Sequence, residues 1–149
     1  MYEALILVHA VTATMALLAS LRSVSRRWFI VYDACLIAML VSLVAAIAVD
    51  GGDRDTTRQV IAVALVGVGA VMVGHAEAAR RAPRGSPAFV RHVGFTVVGL
   101  VDAFVVVTVV QTDAPGALAA MLGIAIALVG HVAVKAAASR ASEVERPAA

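Results

Sequence analysis

The sequence predicts an all-α fold, a polytopic membrane helix bundle with five transmembrane helices, and two observations support this prediction. Of the 149 residues, 62% are hydrophobic, and the mean hydropathy is +0.95, whereas soluble domains are about 45–50% apolar. The apolar residues also gather into runs of about 20, the length that an α-helix needs to cross roughly 30 Å of hydrocarbon. These runs lie at about residues 3–22, 28–49, 58–79, 91–111 and 116–137.

The ends of the runs are marked in the sequence. Glu3 stands where a secretory signal would carry basic residues, so we interpret the first run as a span and not as a cleaved leader. Pro83 and Pro87 separate the third run from the fourth, and Pro115 opens the fifth, where a helix tolerates proline. We therefore expect a single transmembrane domain over residues 1–140 and a polar cytoplasmic tail over 141–149.

The charged residues predict the orientation of the bundle. Loops rich in arginine and lysine remain on the cytoplasmic side of a membrane. The first break, "LRSVSRRW", the third, "RRAPRGSPAFVRH", and the C-terminal tail are basic, whereas "DGGDRDTTRQ" and "QTDAPG" are acidic or nearly uncharged. All basic segments share one side if there are five spans. The prediction is an N-terminus outside, a C-terminus inside and a multi-pass protein of the plasma membrane.

Two apolar segments, "GVGAVMVGHAEAARR" and "GIAIALVGHVAVK", end in the same arrangement of glycines and a histidine. The corresponding residues are Gly67, Gly74 and His75 in the first segment and Gly123, Gly130 and His131 in the second. Each glycine pair is seven residues apart and forms a stripe along its helix, and the rise of about 1.5 Å per residue puts both histidines at one depth in the inner leaflet. Such a stripe admits a neighbouring helix or a flat ligand.

A cofactor is one interpretation of this repeat. His75 and His131 would be the axial ligands of a b-type haem, one from each of two helices, and Arg80 and Arg81 would pair with its propionates. Helix packing without any ligand is the other interpretation. Equal depth does not fix helix rotation, so the sequence leaves open whether the two histidines face each other.

A proton path is a further interpretation of the buried polar residues, because ionisable groups at membrane depth normally face a bundle interior. Asp33 falls in the same predicted layer as the two histidines, with His92 and Glu77 at its lower edge. Asp102 falls near the middle of the fourth span, where it is either protonated or paired with a group such as Thr108 or Thr12. The candidate path consists of Asp33, His75, His131 and Asp102.

Several functional classes are excluded. The chain has no Gly-x-Ser-x-Gly, His-Glu-x-x-His, phosphate-loop or Cys-x-x-Cys motif, and the single Cys35 rules out an intramolecular disulfide or a multi-cysteine metal site. The formal charge of +2 comes from residues that set orientation, with no sign of nucleic-acid binding. Three functions remain: a non-catalytic subunit or accessory component of a membrane complex, or a homo-oligomer of that kind; a haem b redox protein; and a proton-coupled carrier or channel.

The stretch "ARRAPRGSPAFVRHVG" resembles a motif in small multi-pass prokaryotic membrane proteins of unassigned function. In that family a His-Arg pair can open a span in each hairpin. Here the order is Arg91-His92, and the first hairpin has Arg26-Arg27-Trp28 without a histidine. The resemblance covers about a third of the chain; it implies a multi-pass membrane fold and brings no activity with it.

Overall fold

A computed structural model of the chain describes residues 1–49, 56–110, 112 and 115–144. Within these residues the chain forms five α-helices: α1 (Tyr2–Ser20), α2 (Arg26–Val49), α3 (Thr56–Arg81), α4 (Pro87–Val110) and α5 (Gly116–Val144). Each is long and apolar enough to cross a membrane, so the predicted all-α, five-span fold is confirmed. The orientation stays a prediction; most of the acidic second break and residues 145–149 of the predicted tail lie outside the described residues.

Two helix boundaries differ by more than two residues from those predicted by hydropathy. Helix α4 begins at Pro87, four residues early, because Ser86 caps it: the Phe89 amide donates to Ser86 Oγ at 3.2 Å. Helix α5 continues to Val144, seven residues beyond the apolar run. Hydropathy measures the length of a span, whereas a helix continues into water as long as its backbone bonds are made.

The two basic turns share an arginine stacked on an aromatic ring. The Arg22 guanidinium lies 5.4 Å from the centre of the Trp28 ring, and that of Arg84 lies 5.0 Å from the centre of Phe89. In the second turn the Ser86 amide donates to the Pro83 carbonyl at 3.1 Å, and Gly85 has a φ of +78°, which favours glycine. Each turn is therefore folded back on the start of the following helix.

The chain divides into two compact units, and the division falls inside α3. The first unit ends at Gly74 and contains the α1–α2 hairpin. Its core combines small residues of α1 with large residues of α2, namely Ala16 and Ala19 with Phe29, Tyr32, Leu36 and Met39. Small side chains allow two helices to approach closely without a hydrophobic driving force, which lipid does not provide.

A hydrogen bond from a histidine also joins α1 to α2. His9 Nδ1 lies 2.9 Å from the Met39 carbonyl oxygen, which can only accept, so Nδ1 carries the proton. Ser42 Oγ donates to the same carbonyl at 2.9 Å. His9 thus satisfies its Nδ1 donor on the backbone of the neighbouring helix.

The second unit begins at His75 and contains the α4–α5 hairpin. At two levels, a glycine of one helix faces a valine of the other. A methyl group added to Gly94 of α4 would lie 2.6 Å from a Val134 methyl of α5, and one added to Gly130 of α5 would lie 2.5 Å from both methyls of Val98 on α4. These contacts are too short for any side chain on the glycine, so the two helices interlock reciprocally.

Candidate functional site

A pair of histidines lies where the end of α3 meets the start of α4. The Nδ1 atoms of His75 and His92 are 3.0 Å apart, the ring centres are 5.2 Å apart and the rings are tilted by 53°. Both residues are half-buried. Because a bond between two Nδ1 atoms needs one donor and one acceptor, at least one of the two rings must be neutral.

An aromatic ring holds one member of the pair in place. The Phe95 ring stacks on His75, with centres 4.1 Å apart and planes 19° apart. Phe95 follows His92 by three residues, so both occupy one face of α4. This face therefore fixes the plane of the His75 ring and directs its Nδ1 towards the second imidazole.

Depth along the helices predicts that His92 lies at the edge of the inner layer, but it does not predict the contact with His75. The positions of the two residues relative to the ends of their helices do indicate that contact. His75 lies six residues before the end of α3 at Arg81, and His92 lies five residues after the start of α4 at Pro87. Residues nearly equidistant from a tight turn between antiparallel helices stand opposite each other, so the "RAPRGSP" turn itself indicates the partner.

The other proposed haem ligand, His131, has an exposed side chain on α5. The bond at Nδ1 of His75 leaves its Nε2 free to ligate, so the bond to His92 is chemically compatible with axial ligation. The space along α5 is occupied, however, because Val98 lies against Gly130 and Asp102 lies against Gly123. The haem hypothesis stays a prediction, to which these contacts add no support.

The two glycines of the α3 stripe, Gly67 and Gly74, differ from those of α5 in the atoms that surround them. A methyl group added to Gly67 or to Gly74 would meet no described atom within 4 Å. Helix α3 instead makes its close approach at Gly69, where a methyl group would lie 2.9 Å from Leu40 Cδ1 of α2. Equal spacing in the sequence therefore corresponds to unequal surroundings.

The arginines proposed to bind propionates are engaged with an acid of their own helix. Arg81 donates to Glu77 Oε1 from Nη2 at 3.0 Å and from Nε at 3.2 Å, and Arg80 Nε lies 3.3 Å from Glu77 Oε2. All three side chains are exposed. Ion pairs this exposed contribute only about 0–1 kcal/mol, so the arginines remain able to exchange Glu77 for another anion.

The two aspartates of the candidate proton path lie in different surroundings. Asp33 is buried on α2, at 8% exposure. Asp102 lies against Gly123, and its Oδ1 is buried and accepts no hydrogen bond from any described residue. Of the suggested threonine partners, Thr108 donates its hydroxyl proton to the Phe104 carbonyl and Thr12 donates to the Val8 carbonyl, each at 2.7 Å.

Comparisons with protein-family models, with curated proteins and with solved structures find no match to this chain. The resemblance of the basic turn to small prokaryotic membrane proteins therefore stays a prediction.

Proposed function

We propose that this membrane protein is a proton-coupled carrier or channel in which His75 and His92 form a proton-exchange pair. The observation that supports the proposal is the 3.0 Å contact between their Nδ1 atoms. Histidine is the side chain whose ordinary titration falls in the physiological range, so a bonded pair at membrane depth suits proton transfer. With the orientation proposed from the basic loops, the pair lies in the cytoplasmic half of the plasma membrane.

The geometry permits a balanced transfer of one proton. With the Nδ1 proton on His75, a proton arriving at Nε2 of that ring makes it cationic. Its Nδ1 proton then passes to Nδ1 of His92, and the Nε2 proton of His92 leaves on the far side. One proton enters and one leaves, but the bond between the rings is reversed. Both rings must therefore return to their first tautomers before the next proton passes. This requirement favours one proton per conformational cycle over a continuous proton wire.

Proton flux into liposomes tests this function. We expect His75→Gln and His92→Gln each to lower the flux at least about tenfold, because a positioned acid–base group contributes roughly 10²–10⁴-fold to a proton transfer. Glutamine keeps a polar amide at each position but does not titrate. The measurement is the quenching of a pH-sensitive dye after a potassium diffusion potential is imposed with valinomycin.

His131→Gln is the matched control, because His131 is exposed on α5 and the described bond of His75 goes to His92. It is expected to retain the flux of the unmodified protein. Flux no greater than that of empty liposomes, or equal flux in the His75→Gln and unmodified proteins, would refute the proton-coupled function.

A second candidate function, a self-associating non-catalytic subunit or accessory component, is favoured by the outer surface of α5. This helix leaves a stripe of large residues exposed at spacings of three and four, consisting of Met121, Ile124, Leu128 and His131. That spacing matches the seam of a helix pair. A histidine within such a seam would find a polar partner at its own depth in a second copy of the chain.

Cross-linking tests the second candidate. In a Cys35→Ser background, Leu128→Cys is expected to form a disulfide-linked dimer in membranes treated with copper phenanthroline. Val101→Cys, on the exposed part of α4, is the control and is expected to stay monomeric. Equal cross-linking of the two variants would indicate random collision and would exclude α5 as the interface.

A further inference from the structure

Asp102 is an ionisable residue of the second unit that the histidine pair does not use. It stands about two thirds of the way along α4, slightly past the middle position predicted from the sequence. Its Oδ1 is shielded from solvent and, among the described residues, accepts no hydrogen bond. Since buried polar atoms are normally bonded, this oxygen requires an explanation.

The facing helix provides space for this carboxyl group. A methyl group on Gly123 would lie 3.2 Å from Asp102 Oδ1 and 3.3 Å from a methyl of Val106. Any larger residue at this position would displace the carboxyl group, because 3.2 Å is already tighter than ordinary contacts. The glycine thus allows α5 to close over the oxygen and to separate it from the surroundings.

No other charge lies near this carboxyl group along either helix. Within one turn of Asp102, α4 carries only "VGLV" and "AFVV", and within one turn of Gly123, α5 carries only "AAML" and "IAIA". The nearest ionisable side chain towards the C-terminus of α5 is His131, two turns beyond Gly123. An ionised carboxylate would therefore face apolar neighbours without a counter-ion.

We propose that Asp102 is a proton-binding site within the span, at the α4–α5 interface. Its carboxyl group takes up the transported proton, holds it as the neutral acid and releases it again. A proton requires only one oxygen, whereas a metal cation requires several ligands. The residues within one turn of Asp102 on α4 and of Gly123 on α5 offer no other side-chain oxygen. This inference rests on the proposed proton-coupled function, to which it adds a second site far from the histidine pair.

A hydrophobic carbodiimide tests the site directly. A carboxyl group that is protonated in an apolar environment adds its O–H across a C=N bond of dicyclohexylcarbodiimide. The O-acylisourea that forms then rearranges to a stable N-acylurea. No other reactant is needed. We expect the purified full-length protein to gain one reagent mass on the peptide that contains Asp102, and labelling to slow as the pH is raised.

Two variants and a second reagent complete the experiment. Asp102→Asn is expected to lose the label and Asp33→Asn to keep it, and a water-soluble carbodiimide is expected to modify Glu77 in preference to Asp102, because Glu77 is exposed. A label on Asp33 alone, or no label on the peptide of Asp102 in the unmodified protein, would overturn the proposal. Peptide mapping of the unmodified protein decides this even if Asp102→Asn does not fold.

The labelling experiment and the flux experiment test the two proposals separately. If Asp102 is labelled but the liposomes show no flux, the proton site exists and the carrier function is wrong. If His75→Gln abolishes flux while Asp102 remains unlabelled, the carrier function holds and the proton site at Asp102 is wrong.

Discussion

Replacement of Phe89 by alanine is expected to lower the free energy of unfolding by about 3 kcal/mol. The ring is 2% exposed and lies beneath the Arg84 guanidinium at 5.0 Å, so the change leaves a cavity and removes a cation–π contact. Lipid is as apolar as the interior of this protein, so the loss arises from packing and not from the exclusion of water. We therefore expect the lower end of the range of about 3–5 kcal/mol for such substitutions.

Phe104→Ala is the matched control for this prediction. Phe104 belongs to the same helix but is 70% exposed, so its removal creates no cavity and should change the stability by less than about 0.5 kcal/mol. The measurement is unfolding of each variant in mixed micelles with increasing sodium dodecyl sulfate. Equal losses for the two variants would show that Phe89 is not a packing residue.

Gly130→Ala is expected to destabilise the α4–α5 hairpin by about 1–3 kcal/mol, the usual cost of adding a methyl group to a filled interior. The added carbon would lie 2.5 Å from both methyls of Val98. Valine is branched at Cβ and has few rotamers, so it cannot turn both methyls away. Relief requires the helices to separate or rotate, which affects the whole interface.

Gly67→Ala tests the same chemical change without the contact. No described atom lies within 4 Å of the added carbon, and alanine favours a helix over glycine by about 1 kcal/mol. This variant is therefore expected to be as stable as the unmodified protein or slightly more stable, in the same micellar unfolding assay. A destabilised Gly67→Ala protein together with an unaffected Gly130→Ala protein would reverse the assignment of the packed stripe.

Hydropathy was sufficient to predict the five helices, because only a hydrogen-bonded helix can carry a long apolar run across a membrane. It could not place their ends, which depend on local chemistry. Ser86 starts α4 by capping the Phe89 amide, and α5 continues to Val144 through residues too polar for a span. Capping and helix propensity act on single residues, whereas hydropathy averages over twenty.

The candidate site was predicted in composition but not in pairing. Depth along a helix follows from residue number, which is why His75 and His92 were expected in one part of the membrane. Rotation about the helix axis does not follow from it. Gly123 and Gly67 belong to the same sequence repeat, yet Asp102 covers one and no described atom lies within 4 Å of a methyl group added to the other, because each environment depends on which neighbouring helix approaches and at what angle.

The reciprocal glycine–valine contacts of α4 and α5 also restrict how this part of the protein can move. Gly94 receives Val134 and Gly130 receives Val98, so a slide of one helix past the other by a single turn would bring each valine against a side chain in place of a glycine. Such a slide requires the hairpin to open first, while tilting of both helices together leaves every contact intact. We therefore expect the two helices to move as one rigid body that includes Asp102.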